Sequence, residues 1–176
     1  MIIVLRQGSD QKEIDKLTDC LGTAIHALVL SEDLPNGSDT WEQKIEMMRT
    51  STALYRMIYG EDLMFHHVRL AFNHWIISTY QMSLGRQEDA LTSLEDMCRH
   101  AIAYDEAYKN DHGKTYSSPF VNTVVYPEPG DPNFHELHEH SESHFMLEKL
   151  ENHRYDPVRD TERFRAVIRT LKTYDR

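Results

Sequence analysis

Residues 63–104, LMFHHVRLAFNHWIISTYQMSLGRQEDALTSLEDMCRHAIAY, decide the fold. In the first half, Phe65, Val68, Phe72, Trp75, Ile76 and Thr79 fall on one helical face. Leu63, Leu70, Ile77 and Leu84 recur every seven residues and form a second apolar stripe. A surface helix needs one apolar stripe, so two stripes require neighbours on both flanks. The break comes at Leu84-Gly85-Arg86. Gly85 lacks a Cβ and suits the left-handed backbone that ends a helix. Beyond it, Ala90, Leu91, Leu94, Met97, Cys98, Ala101 and Ile102 keep i, i+3, i+4, i+7 spacing. Two amphipathic helices joined by so short a turn pair as an antiparallel hairpin.

The hairpin resembles a tetratricopeptide repeat (TPR). Ala90, followed four positions on by Leu94, matches the signature of that repeat's second helix. Tyr80 stands where the repeat has its tyrosine, and Ile76 takes the place of its leucine. Asn73 and Ile77 replace the usual Trp and Gly, one extra residue lies between Tyr80 and Gly85, and no proline closes the second helix. The resemblance implies an all-α array of about six helices, stacked as hairpins in a right-handed TPR-like solenoid.

Composition sets the outer bounds. A chain of 176 residues has the length of one ordinary domain, and residues 1–176 are read as a single helical unit. The formal charge of −10 argues against direct contact with nucleic acid, which needs Lys and Arg to neutralise phosphates. Cys20 and Cys98 both fall on apolar helix faces, so a disulfide framework is not expected and a reducing, cytoplasmic setting is. The apolar start, Met1 to Leu5, is too short for a signal peptide or a membrane span, and no later run is long enough to span.

Along the chain, Asp10 and Glu13 are placed as a helix-start capping box. Ile14, Leu17, Leu21, Ala24, Ile25 and Leu28 then keep helical spacing to about Leu30. A loop with Pro35-Asn36-Gly37-Ser38 leads to a second helix, capped by Asp39 or Thr40 and closed by Gly60. Residues 106–133 read as loops around an extended segment, Phe120–Tyr126, which is bracketed by Pro119 and Pro127. Helices over about 134–152 and from Asp160 or Thr161 to about 174 close the array, with Tyr155-Asp156-Pro157 as an extended turn between them.

The order of four stretches carries a wider resemblance: Ile58–His67, Ala90–Asp105, Lys114–Tyr126 and Leu150–Phe164. Together they look like the C-terminal TPR-like region of bacterial helix-turn-helix transcriptional regulators of the XRE type. That implies a sensor part that binds a peptide, a protein or another copy of itself. No helix-turn-helix precedes residue 10, so the chain is expected to be either the sensor half of such a regulator or a stand-alone relative; in the first case transcriptional control belongs to the parent, and DNA contact is not expected of this chain.

Chemical motifs are sparse. His135, His138, His140 and His144 crowd one stretch, and His140 and His144 are spaced to share a metal on a helix. The zinc-protease pattern fails, because Glu139 stands where the second histidine belongs. No Gly-x-Ser-x-Gly, phosphate-cradling loop or dinucleotide fingerprint is present. The reading is therefore non-catalytic, with no cofactor and no resident metal.

One constellation has a positional argument. His67, Ala71, His74, Ser78 and Gln81 form a narrow polar stripe between the two apolar stripes of the first hairpin helix. In stacked hairpins such a stripe lines the concave surface, where small and polar residues can hydrogen-bond a peptide. The expected partner is a peptide or protein, basic or neutral given the acidic chain, with no membrane. Two alternatives stand beside this. One is a homodimerisation module pairing through the last helix; the other is a metal-dependent hydrolase built on the histidine-rich helix.

Overall fold

The structure, a computed structural model, describes residues 9–30, 37–126 and 140–175. It is all-α: among the described residues six α-helices carry the fold. These are α1 (Ser9–Leu30), α2 (Ser38–Tyr59), α3 (His67–Ser83), α4 (Gln87–Asn110), α5 (Glu142–Leu150) and α6 (Glu162–Lys172). Short 3-10 turns at Met64–His66 and His153–Val158 precede α3 and α6. Among the described residues no helix is long and apolar enough to cross a membrane.

The α3–α4 turn is built as the glycine predicts. Gly85 has φ +73°, its N–H donates to Met82 O (3.0 Å), and Arg86 N–H donates to Gln81 O (2.9 Å). This pair of bonds satisfies carbonyls that the helix end leaves orphaned. The helices then run antiparallel. His67 meets His100, His74 faces Asp96, and Gln81 meets Ser93, so the start of α3 lies against the end of α4. Ala90 and Leu94 are fully buried in this hairpin.

α3 has neighbours all round, which is why it needs two apolar stripes. Asn73 Nδ2 donates to Ser51 Oγ of α2 (3.1 Å). Towards α1, Arg69 pairs with Asp19 (3.0 Å), Phe72 meets His26 edge-on, and the Tyr80 hydroxyl donates to Val29 O. Towards α5, Phe72 stacks on Phe145. Buried Leu70 and Ile77 face the α2 side, in clusters with Tyr59 and Met48 respectively. α1 crosses α2 closely at Gly22, where an added Cβ would lie 2.7 Å from Tyr55 Cε2. Each large side chain buried this way stabilises the fold by about 1.5–3 kcal/mol. The apolar face of α6, Phe164, Val167 and Leu171, is buried in one cluster with Leu94, Met97 and Met146. Asp105 caps α5, accepting from Glu142 N (2.8 Å), Ser143 N (3.1 Å) and Ser143 Oγ (2.6 Å).

Several local expectations differ from the structure. α2 begins at Ser38 behind Gly37 with no side-chain cap, so Asp39 lies inside the first turn, where its charge still favours the helix dipole. Phe120–Tyr126 is not one extended strand: residues 119–123 form turns, and only Thr115 and Val125 bridge antiparallel. The segment is tied instead by side chains. Gln11 Nε2 donates to Pro119 O and Asn122 Oδ1, Gln11 Oε1 accepts from Thr123, and Ser118 Oγ donates to Ile58 O. Tyr155-Asp156-Pro157 is a 3-10 turn and not an extended one, closed by the Asn152 side chain accepting from Arg154 N. Within the long helix expected over 134–152, the described part is helical over Glu142–Leu150; residues 134–139 lie outside the described residues, as do 1–8 and 31–36. Thr161 caps α6 as expected, accepting from Phe164 N. Cys20 is exposed and Cys98 buried, so only one of the two faces the core.

Candidate functional site

The predicted stripe comes together, but facing inward. Ala71 and Ser78 are fully buried and Gln81 is 4% exposed. Gln81 Oε1 accepts from Ser93 Oγ (2.7 Å), and Ser78 Oγ meets the Tyr155 hydroxyl (2.8 Å). His67 Nδ1 and His100 Nδ1 are 2.8 Å apart, and the His74 and His100 rings stack at 5.6 Å. Ala71, Ser78 and Gln81, with the half-buried His67 and His74, are therefore a polar seam between α3 and its neighbours and not an open concave surface. The physical reason is the pitch of the hairpin: α4 carries Ser93, Asp96 and His100 at matching heights, and polar groups pair across the interface. Burial lowers all three histidines, His67 and His74 to about 4 and His100 to about 3, so the seam is neutral at pH 7. His74 Nε2 and His100 Nε2 make no hydrogen bond.

The face of α3 that does open is turned by roughly one residue. Trp75, Thr79, Tyr80 and Ser83, with Trp41 from the start of α2, line a groove of about 580 Å³. The far wall is Lys149, Asn152, Arg154 and Tyr155, from the end of α5 and the turn after it. Lys149 Nζ sits over the Trp75 ring (5.3 Å) and the Phe145 ring (4.5 Å), and Lys44 Nζ lies over the Tyr80 ring (5.3 Å). These are cation–π contacts, in which the aromatic face holds the ammonium without a counter-charge. The Tyr155 hydroxyl is anchored by Ser78 Oγ and Thr79 Oγ1 (3.2 Å), which fixes one wall to α3. Ser78 thus supports the groove from behind. Trp41, Ser83, Lys149, Asn152 and Arg154 were not singled out from sequence. Aromatic–cation proximity across three helices has no local signature that could have marked them.

A second groove, of about 590 Å³, lies between α5 and α6 over Leu147, Phe164 and Ile168. Its basic rim is largely neutralised at the start of α6, where Arg165 pairs with Asp160 just before the helix and Arg169 with Glu162.

The histidine-rich stretch is only partly described. The His140 and His144 rings stack at 4.3 Å, and His144 is held by Asp175 (2.7 Å) and Glu148 (3.7 Å). Among the described residues no three His, Cys, Asp or Glu side chains are arranged to hold a metal; His135 and His138 lie outside them. Burial raises the Cys98 thiol to about 11, which keeps it protonated and unreactive at neutral pH. Glu142 is raised to about 8 by burial and by Asp105. It sits at the α5 cap and outside both grooves. Comparison with family models, curated proteins and solved structures returns no significant match.

Proposed function

We propose that this chain is a non-catalytic helical scaffold that binds a peptide or a short protein segment in the groove along Trp75, Thr79 and Ser83. The observation that carries the reading is this groove, with two tryptophans and a tyrosine on one side and amide and cationic donors on the other. Half of the lining is apolar or aromatic and half is polar, so the groove can bury apolar side chains while its polar groups fix their orientation. Helices next to each other in the chain pack on one another, α1 on α2, α2 on α3, α3 on α4, α4 on α5 and α5 on α6, a succession that supports a TPR-like arrangement. The resemblance to the sensor region of helix-turn-helix regulators extends the proposal: the bound segment would report to a transcription factor that carries its own DNA-binding domain, in a cytoplasmic setting.

The test is selection of a displayed random-peptide library on the wild type and on Ser83→Phe. Ser83 is exposed and hydrogen-bonds only within its own helix, so the variant fills the groove without opening the core. Peptides recovered by wild type and lost by Ser83→Phe support the reading. No recovered peptide, or the same set from both, overturns it.

A second reading, self-association, has its own observation. Leu17, Leu21 and Leu28 of α1 are about half exposed, in a row at helical spacing. The last helix was the expected pairing surface, but its main apolar face lies buried within the chain. Sedimentation of wild type against Leu21→Glu tests this: a dimer lost in the variant favours it, and a monomer in both removes it.

A further inference from the structure

We infer that the groove selects an acidic segment, one whose carboxylates alternate with apolar side chains. This deepens the proposed peptide-binding role and rests on it. It runs against the charge of the whole chain, which at −10 would favour a basic partner. The local composition decides otherwise. The residues lining the groove include Lys149 and Arg154 and no Asp or Glu. Among the described residues neither of these cations is in an ion pair, whereas Arg86, Arg99, Arg159, Arg163, Arg165 and Arg169 all are.

The neutral polar groups point the same way. Asn152 uses its side-chain oxygen on the Arg154 N–H, so what remains to offer a ligand is its amide N–H2. Ser83 Oγ donates to Thr79 O, and the Tyr155 hydroxyl is occupied by Ser78 and Thr79. The Ser83 oxygen keeps acceptor lone pairs, so the donors left for a ligand are the Lys149 ammonium, the Arg154 guanidinium and the Asn152 amide. Those three donors suit a ligand that accepts hydrogen bonds, and a carboxylate accepts them most strongly from cations. Lys44 is buried beneath the Tyr80 ring and does not line the groove, so the exposed positive charge is that of Lys149 and Arg154 on one wall. Two separate cations, five residues apart, fit a segment with more than one acidic side chain better than one terminal carboxylate. The apolar surface of Trp41, Trp75 and Tyr80 opposite them takes the intervening side chains.

The experiment uses the chain's own tryptophans. The sequence holds two, Trp41 and Trp75, and both line the groove, so indole emission reports on this site. The probes are short capped peptides in which leucine alternates with glutamate, glutamine or lysine, together with the glutamine peptide bearing a free C-terminus. The glutamate peptide should shift the emission and bind at least about tenfold tighter than the glutamine one, a difference of about 1.4 kcal/mol. Its affinity should fall with added salt, and Lys149→Gln/Arg154→Gln should lose the preference while melting as wild type does. Equal or tighter binding of the lysine peptide overturns the inference and leaves a peptide groove standing. So does unchanged glutamate affinity in the double variant. A preference confined to the free C-terminus overturns the multiple-carboxylate form. Binding of none of the peptides overturns the groove reading itself.

Discussion

Replacing His100 by Asn should flatten the acid side of the stability profile. His100 is 4% exposed and held at about 3 by burial first, then by the nearby His67, His74, Arg99 and Arg56. Unfolded, it takes a proton below its ordinary value of 6.5; folded, it does not until about 3. The unfolded state therefore binds more protons in this window. The stability His100 contributes is complete above pH 6.5 and is lost as pH falls from there towards 3. Between pH 7 and pH 5 the linkage relation gives a loss of about 2 kcal/mol for this one group. Glu142 works in the opposite sense. With its carboxyl raised to about 8, it holds a proton in the fold that it releases on unfolding above its ordinary 4.5, so acid favours the fold there. That offset is common to wild type and variant, which makes the difference between them the quantity to measure. Asn keeps a polar group near the Nδ1 position, where His100 meets His67, and cannot titrate. Urea unfolding followed by circular dichroism at pH 7, 6 and 5 gives both profiles. The variant should lose about 2 kcal/mol less than wild type between pH 7 and 5. Parallel profiles would refute the claim that the seam is held neutral by burial.

Other substitutions test the packing. Ala90→Leu places a larger side chain at a fully buried position of the α3–α4 hairpin and should cost about 1–3 kcal/mol, read as a lower melting temperature; an unchanged melt contradicts the hairpin register. Gly22→Ala should cost a similar amount, about 1–3 kcal/mol, because the Tyr55 ring it would strike is fully buried and has nowhere to move; a neutral result in urea unfolding contradicts the α1–α2 crossing. Asp105→Asn weakens the charge-assisted cap of α5 and should cost about 1.5–3 kcal/mol. It should also bring Glu142 down from about 8, which a carbon-detected NMR titration of that carboxyl would follow.

What the sequence made legible is what local pattern controls. Gly85 ended α3, Ala90 and Leu94 marked the buried face of α4, and Thr161 opened α6, because caps and periodicity act within one or two turns. The polar stripe on α3 is legible as a stripe, and its partner row lies on α4. Ser93, Asp96 and His100 on α4 carry the complementary polar row, and their spacing of three and four residues was a readable signal that the two rows meet. The 3-10 turn at Pro157 was missed because the bias of a residue before proline yielded to tertiary packing, with Tyr155 and Val158 fully buried on either side. The open groove was out of reach for another reason. Trp41, Trp75 and Lys149 are far apart in sequence, and only the packing of α2, α3 and α5 brings them to one cleft.

The most direct test of the account is the pair of indole N–H signals in a nitrogen–proton correlation spectrum, one from Trp41 and one from Trp75. On addition of the alternating leucine–glutamate peptide, both indole signals should shift, while the ring signals of the buried seam, His67, His74 and His100, should hold their positions. Indole signals that stay in place while the peptide binds, or shifts confined to the histidine seam, would contradict the claim that the groove along Trp75, Thr79 and Ser83 is the ligand face.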